Sequence, residues 1–476
     1  MSTDAMHMAK GVQNWQIIQQ TDGEAKVPFQ GTWSVHKEIQ DMGGYDPIPS
    51  VRVVDEENYN TVIPWTEVDF SVDESGFEGE WSCELTIPAG GLYRIECGID
   101  VKSPQKPKGW IVRGDVRFHI GVGDIFVIAG QSNAAGFAKD WARDESSLMV
   151  HLYRNSRTWD LACHPFTEFT DAWDTVNQDK GVVGFSPFLA FGKMFSAISH
   201  RPVGFIQTAC GGTSIKRWDP ARTGDLYHNM TERIRECGGK AAGILWYQGC
   251  TDAEGDELEE VYEASFCNLV KELRGELGYD IPFFTVQLNR EIYTEWNENF
   301  GRIREHQRAL AERVPKTTML TTLNCGVSDN VHNNAHSCIE IGEKWARHCA
   351  HYLYGSRKFD PPCVEKITID GKVLRITLSN ITRYILIVGT EPEDSGFYLE
   401  DEAGQIPCSK LRVDKSVGNV LEMELDREIK GQACLSFARG ANPTRIPPVD
   451  DDTYLPLTAF YQLPVPYQKE IKKQGW

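Results

Sequence analysis

The chain of 476 residues has no run of lysine and arginine, and no stretch approaching the roughly 20 apolar residues that cross a bilayer. Acidic side chains outnumber basic ones, 68 to 49, giving a formal charge of −19 with histidines neutral. A field of that sign repels phosphate backbones and anionic lipid, which disfavours nucleic-acid and membrane-surface binding. Zinc-type cysteine pairs are missing as well: the 13 cysteines are scattered with no C-x-x-C spacing. Several fall in apolar runs, where a reduced thiol behaves as a small hydrophobe, and an odd count leaves at least one unpaired within the chain. The opening Met1-Ser-Thr-Asp-Ala-Met-His-Met8 lacks the basic segment and apolar run of a secretory leader. Together these features predict a reducing, cytoplasmic setting. There is also no internal repeat and no low-complexity segment.

What is present is ordinary globular material, 41% apolar and 25% charged, which argues against wholesale disorder. The length predicts two or three folding units. Residues 1–118 hold short strand-like runs broken by turns, such as Trp81–Ile87 and Tyr93–Ile99, and predict an antiparallel β-domain. From Asp124 apolar runs without alternation appear at Ile125–Ala129, Val203–Ile206, Ala241–Trp246, Phe283–Val286 and Thr318–Leu323. Strands buried on both faces of a parallel sheet look like this. Helical patterns lie between most of them, the clearest running from Leu258 to Leu277, with another at Ile339–Tyr354. Residues 119–355 therefore read as a three-layer α/β/α domain. Residues 356–476 return to strands, at Val373–Leu378, Tyr384–Val388 and Ala433–Phe437, and predict a second β-domain.

Chemistry-bearing residues cluster just past the strand ends, where open α/β sheets bind ligands. Gly130-Gln131-Ser132-Asn133 follows the first strand, offering Ser132 as a nucleophile with helix-start N–H groups nearby. The residue two after the serine is Ala134, not the glycine of the G-x-S-x-G elbow. Asp329-Asn-Val-His332 follows the last strand and can supply a base with its orienting acid. Thr208–Ile215, with Gly211 and Gly212, and Trp246-Tyr-Gln248-Gly-Cys-Thr-Asp252 end on the same edge. Their glycine N–H groups and the Gln248 amide are candidate oxyanion donors.

In this order, GQSN, GGTSI…W, WYQG…D and D-x-x-H resemble the SGNH-type carbohydrate O-acetylesterases, nearest the sialate O-acetylesterase and acetylxylan-esterase-like branch. The resemblance covers residues 120–355. It implies an SGNH-hydrolase core flanked by β-sandwich-like domains. It also implies Ser132 as nucleophile, Asp329 and His332 as its partners, and an oxyanion hole of the Ser132 N–H, Gly212 (or Gly211) and Gln248. One departure stands out: the family often has QGE-x-D, and here Cys250 replaces the glutamate.

Rival readings are weaker on residue chemistry. No motif pairs Cys250 with a histidine. Asp329, His332 and His336 have spacing for a metal, but His332-Asn-Asn-Ala-His336 lacks the glutamate of H-E-x-x-H. Gln131, Trp218 and Arg217 are candidate substrate-binding residues, Trp218 as a pocket wall and Arg217 as a partner for a sugar carboxylate. The reading expected is a cofactor-free serine esterase removing O-acetyl groups from sialic acid or plant-glycan oligosaccharides. An inert carbohydrate-binding protein with a decayed core would lack p-nitrophenyl acetate hydrolysis; acetyl transfer would use the same triad.

Overall fold

Strict alternation in Glu24-Ala-Lys-Val-Pro-Phe-Gln-Gly-Thr-Trp33 puts Ala25, Val27, Phe29, Gly31 and Trp33 on one buried face of the strand Glu24–Ser34. The computed structural model describes residues 5–35, 46–103, 106–168, 170–179, 184–293, 297–388, 394–444 and 446–470. It divides into two units. The first comprises Met1–Ile125, Ser146–Ala162 and Ser199–Phe205, and the second Phe126–Glu145, Cys163–Ile198 and Ile206–Trp476.

In the first unit Glu24–Ser34 pairs antiparallel with Ala5–Lys10 on one side and Glu78–Pro88 on the other. A second antiparallel layer joins Asp46–Asp55 to Thr61–Glu67 and Gly90–Ser103. Phe29, Trp33 and Trp81 from one layer and Val51, Val53, Ile95 and Ile99 from the other share one core, which makes the unit a β-sandwich.

The second unit holds the α/β layer. Phe126–Gly130, the end of strand β1 (Lys106–Gly130), pairs parallel with β3 (Gly243–Tyr247). Beyond β3 lie β4 (Phe283–Gln287) and β5 (Thr317–Thr321), also parallel. Just after β2 (Val203–Gln207), the Thr208 and Cys210 N–H groups donate to Ile128 and Gly130 on the opposite side of β1. The chain thus leaves β1 to one side and returns on the other, so the crevice between β1 and β3 is a topological switch point.

The helices are α1 (Ser132–Ala135), α2 (Phe188–Ser199), α3 (Asp225–Glu236), α4 (Tyr262–Leu277), α5 (Asn297–Arg313) and α6 (Ala335–Tyr354). On one sheet face Phe126 packs against Phe191 and Phe195 of α2, and Phe284 meets His348 of α6. On the other, Trp246 and Phe283 pack against Phe266 of α4. That is the three-layer arrangement expected. The periodic run from Leu258 is interrupted, however: Leu258 lies in a separate turn, Asp256–Glu259, and α4 begins only at Tyr262. Helix α6 starts earlier than its apolar pattern, because Asn334 caps it by accepting from the Ser337 N–H.

Past α6, antiparallel strands including Val373–Ser379, Val420–Leu425, Phe397–Asp401 and Ala433–Phe437 bury Ile376, Leu421, Leu399 and Leu435 in one shared core. This β-region is bonded to the α/β layer through buried polar groups. Gln287 exchanges two hydrogen bonds with the Ala459 backbone, and Arg304 of α5 donates to the carbonyls of Ala438, Gly440 and Ala441. No helix among the described residues is long and apolar enough to cross a membrane.

Helices α2 and α6 meet backbone to backbone at Gly342, where an added Cβ would stand 2.1 Å from the Pro187 carbonyl oxygen. Gly342→Ala gains about 1 kcal/mol of helix propensity but forces that contact apart, at about 1–3 kcal/mol or more. A net loss of about 1–2 kcal/mol is expected, read as a lower urea midpoint with unchanged slope.

Candidate active site

Gly130 closes β1 with φ +130°, and a Cβ there would lie 2.2 Å from the Tyr247 carbonyl, so only glycine fits. Gln131 is extended and donates its N–H to the same carbonyl. The backbone then turns into α1, with Ser132 on its first turn and Gly136 ending it at φ +98°. As first residues of a helix, Ser132 and Asn133 have N–H groups with no helical acceptor.

After β5 the chain forms the loop that carries Asp329 and His332. Asp329 Oδ1 accepts the Val331 and His332 N–H groups at 2.9 and 2.8 Å, and Oδ2 sits 2.7 Å from His332 Nδ1. The same Oδ2 lies 2.8 Å from the ammonium of Lys139. Burial opposes ionisation here, but the bonds from His332, Lys139 and the two N–H groups outweigh it and hold the carboxyl well below the usual carboxylate range. With Nδ1 turned to a carboxylate, the imidazole presents Nε2 as its basic nitrogen.

Asn133 brings the two loops together. Its Oδ1 accepts the Asn333 N–H at 3.0 Å and its Nδ2 donates to the Val331 carbonyl at 3.3 Å. The residue after the serine therefore grips the chain on both sides of His332. Asn333 is tied in turn to Asn289, past β4, and to the Tyr247 hydroxyl on β3. The Phe137 ring lies 5.3 Å from that of His332, tilted by 33°. Ser132 Oγ and His332 Nε2 are not hydrogen-bonded to each other in this arrangement; their loops are.

Residues 122–351 match the model of the family described as carbohydrate esterase, sialic acid-specific acetylesterase. That segment is similar to the carbohydrate esterases of this family. A probable carbohydrate esterase of Arabidopsis thaliana is 28% identical over 246 residues, covering 46% of this chain and 86% of the relative. The structure of a carbohydrate acetylesterase from Xanthomonas citri aligns over 96% of this chain and 99% of its own, with a TM-score of 0.62 and 18% identity. At that identity the likeness is one of fold, and it extends beyond the esterase domain to both flanks.

Within the esterase domain, several residues differ from what the sequence led us to expect. Both hydrogens of Gln248 Nε2 are committed, one to the Thr213 carbonyl and one to Asp252 Oδ2, and the side chain is fully buried. It offers no free donor to an oxyanion. Gln131 is likewise not a substrate contact: its Oε1 accepts the Gly249 and Thr251 N–H groups and its Nε2 donates to Thr251 Oγ1. Arg217 forms a two-pronged pair with Asp225 and also donates to the Val176 carbonyl. Trp218 is buried against Trp246 at 5.3 Å. These four residues hold the loops that surround the site.

Of the two glycines, Gly211 gives its N–H to Asp179 Oδ1 at 2.8 Å. Gly212 is exposed at φ +63° with open space beside its Cα. Asp179 is buried, and burial raises its pKa. His336 is exposed on the first turn of α6. Cys250 is a buried thiol, pushed up to about 12 chiefly by desolvation, which makes it a poor nucleophile. Near it stands Arg304, fully buried, whose hydrogen bonds all go to carbonyl oxygens, including that of Leu288 at 3.0 Å. Burial first, then Arg290, lowers that guanidinium to about 9. Asn133, the last residue of GQSN, and Phe137 and Lys139, which follow it, carry no separate signal in the sequence.

Gln248→Met tests the reassignment. It strands the Thr213 carbonyl and Asp252, so thermal or urea unfolding should register a loss of about 1–3 kcal/mol. The folded fraction should keep kcat within about tenfold. A kcat loss of about 10²–10³ with unchanged stability is the signature of an oxyanion donor and would reverse the correction.

Proposed function

We propose that the protein is a serine carbohydrate acetylesterase that removes O-acetyl groups from sugars through an acetyl-enzyme. The observation that carries this reading is the pair of hydrogen bonds from Asn133 to Val331 and Asn333, which ties the loop of the Asp-oriented imidazole to the Ser132 turn. Ser132 Oγ attacks the acetyl carbonyl while His332 Nε2 takes its proton. His332 then returns the proton to the departing sugar oxygen, and Asp329 stabilises the imidazolium throughout. Water, deprotonated by the same nitrogen, attacks the acetyl-enzyme and releases acetate. The Ser132 and Gly212 N–H groups are the oxyanion donors in this scheme, the first at a helix start and the second on an exposed left-handed turn.

The substrate class is an O-acetylated sugar, either a sialic acid or a plant-glycan oligosaccharide, in keeping with the family description and with the names of the Arabidopsis and Xanthomonas relatives. The chain is read as an esterase domain, 119–355, with β-domains at 1–118 and 356–476. A reducing, cytoplasmic compartment is supported by the buried thiols of Cys97, Cys237, Cys325, Cys338 and Cys349, which pack as apolar side chains.

Acetate release from acetylated sialic acids and xylo-oligosaccharides, with p-nitrophenyl acetate alongside, tests the reading. Ser132→Ala should remove activity on the order of 10⁴-fold while the protein stays folded. Asp329→Asn and His332→Ala should be severe, and neither should add to Ser132→Ala. Near-wild-type turnover by pure Ser132→Ala protein would exclude serine catalysis.

A further inference from the structure

The Asp329 carboxylate is not devoted to the imidazole. Its Oδ2 faces His332 Nδ1 at 2.7 Å and Lys139 Nζ at 2.8 Å, so two donors share one oxygen. Lys139 is held there from both directions. Its own N–H donates to Ser328 Oγ at 3.2 Å, one residue before Asp329, and neighbouring Asp140 accepts the Ala335 N–H at 2.8 Å, beyond His332. The pairing is thus set by backbone anchors on either side and not only by a flexible side chain.

The other charged groups facing this loop are acidic. Glu291, past β4, accepts from Asn330 between the two triad residues and feels the charge of Asp329. Glu254, from the loop after β3, faces Glu291, and Asp140 closes the side nearest α6. Among the described residues, Lys139 is the one cation paired with Asp329.

We propose that Lys139 is a positioning residue that sets the acid limit of activity: by sharing Asp329 Oδ2 with His332, its ammonium moves the acid limb of the pH–activity profile to lower pH. The physical reason is direct. An imidazolium formed on His332 stands beside the ammonium, and the two cations repel. The carboxylate charge that would stabilise the imidazolium is partly spent on Lys139. His332 therefore stays neutral, and able to accept the serine proton, further into the acid range. Because the Lys139 side chain is 56% exposed, solvent screens the effect and makes it sensitive to salt.

This inference rests on the serine-triad reading, and the experiment separates the two. The pH dependence of kcat/KM for p-nitrophenyl acetate is measured at low and high salt for the wild type, Lys139→Met, Lys139→Arg and Ser132→Ala. In Lys139→Met the acid limb should rise by about half to one pH unit, a loss of about three- to tenfold at acidic pH, with a plateau no lower than wild type. Lys139→Arg should restore the limb. Added salt should raise the limb of the wild type relative to that of Lys139→Met, a readout that needs no variant to fold differently. A uniform loss at every pH with the limb unmoved would make Lys139 a mere brace, and no change at all would make it an idle surface pair; either overturns the inference. Activity surviving in Ser132→Ala would instead overturn the triad reading itself.

Discussion

The active edge depends on one amide side chain. Asn133 accepts with its oxygen and donates with its nitrogen, joining two loops separated by 200 residues of sequence. A buried amide satisfied at both ends contributes modestly to stability, but leaving either end unmade is costly, so the geometry is narrowly defined. A serine on a helix start and a histidine on a loop have no covalent reason to meet. The bonds from Asn133 to Val331 and Asn333 supply one.

The sheet explains why these loops can be neighbours at all. The order in which β2, β1 and β3 lie side by side opens a crevice at the ends of β1 and β3. The loop after each strand then serves the next. Gln131 ties the serine turn to Gly249 and Thr251 after β3, and Gln248 ties that segment to Thr213 after β2. Asn333 reaches Tyr247 of β3 and Asn289 past β4. The polar strand-end residues thus link the loops beneath the site to one another.

The C-terminal β-region takes part in that support. Arg290 donates to Asn442 and Pro443, and the Glu291 N–H donates to Ala441, so the loop that holds Asn330 is anchored on the β-region. Arg304 adds bonds to Ala438, Gly440 and Ala441 from inside the α/β layer. This buried guanidinium is satisfied by carbonyl dipoles, and burial first, then the neighbouring Arg290, lowers its pKa.

Much of this was legible in the residues alone. Unbroken apolar runs marked the parallel strands, partial alternation marked Tyr93–Ile99, and the order of GQSN, GGTS, WYQG and D-x-x-H placed four polar segments on one sheet edge. The Asp329–His332 bond was legible too, because three residues of separation in a tight turn leave a carboxylate and an imidazole little choice. Which polar groups would remain free was not. Gln131, Gln248 and Arg217 have the same chemistry whether they face a substrate or a neighbouring loop, and Trp218 is as apolar in a core as in a pocket wall. Their partners come from segments distant in sequence, so only the tertiary structure decided that Thr251, Thr213, Asp225 and Trp246 would claim them. The same holds for Lys139: a lysine after a glycine-ended helix is unremarkable in sequence, and only the folded chain sets its ammonium on the carboxylate of Asp329.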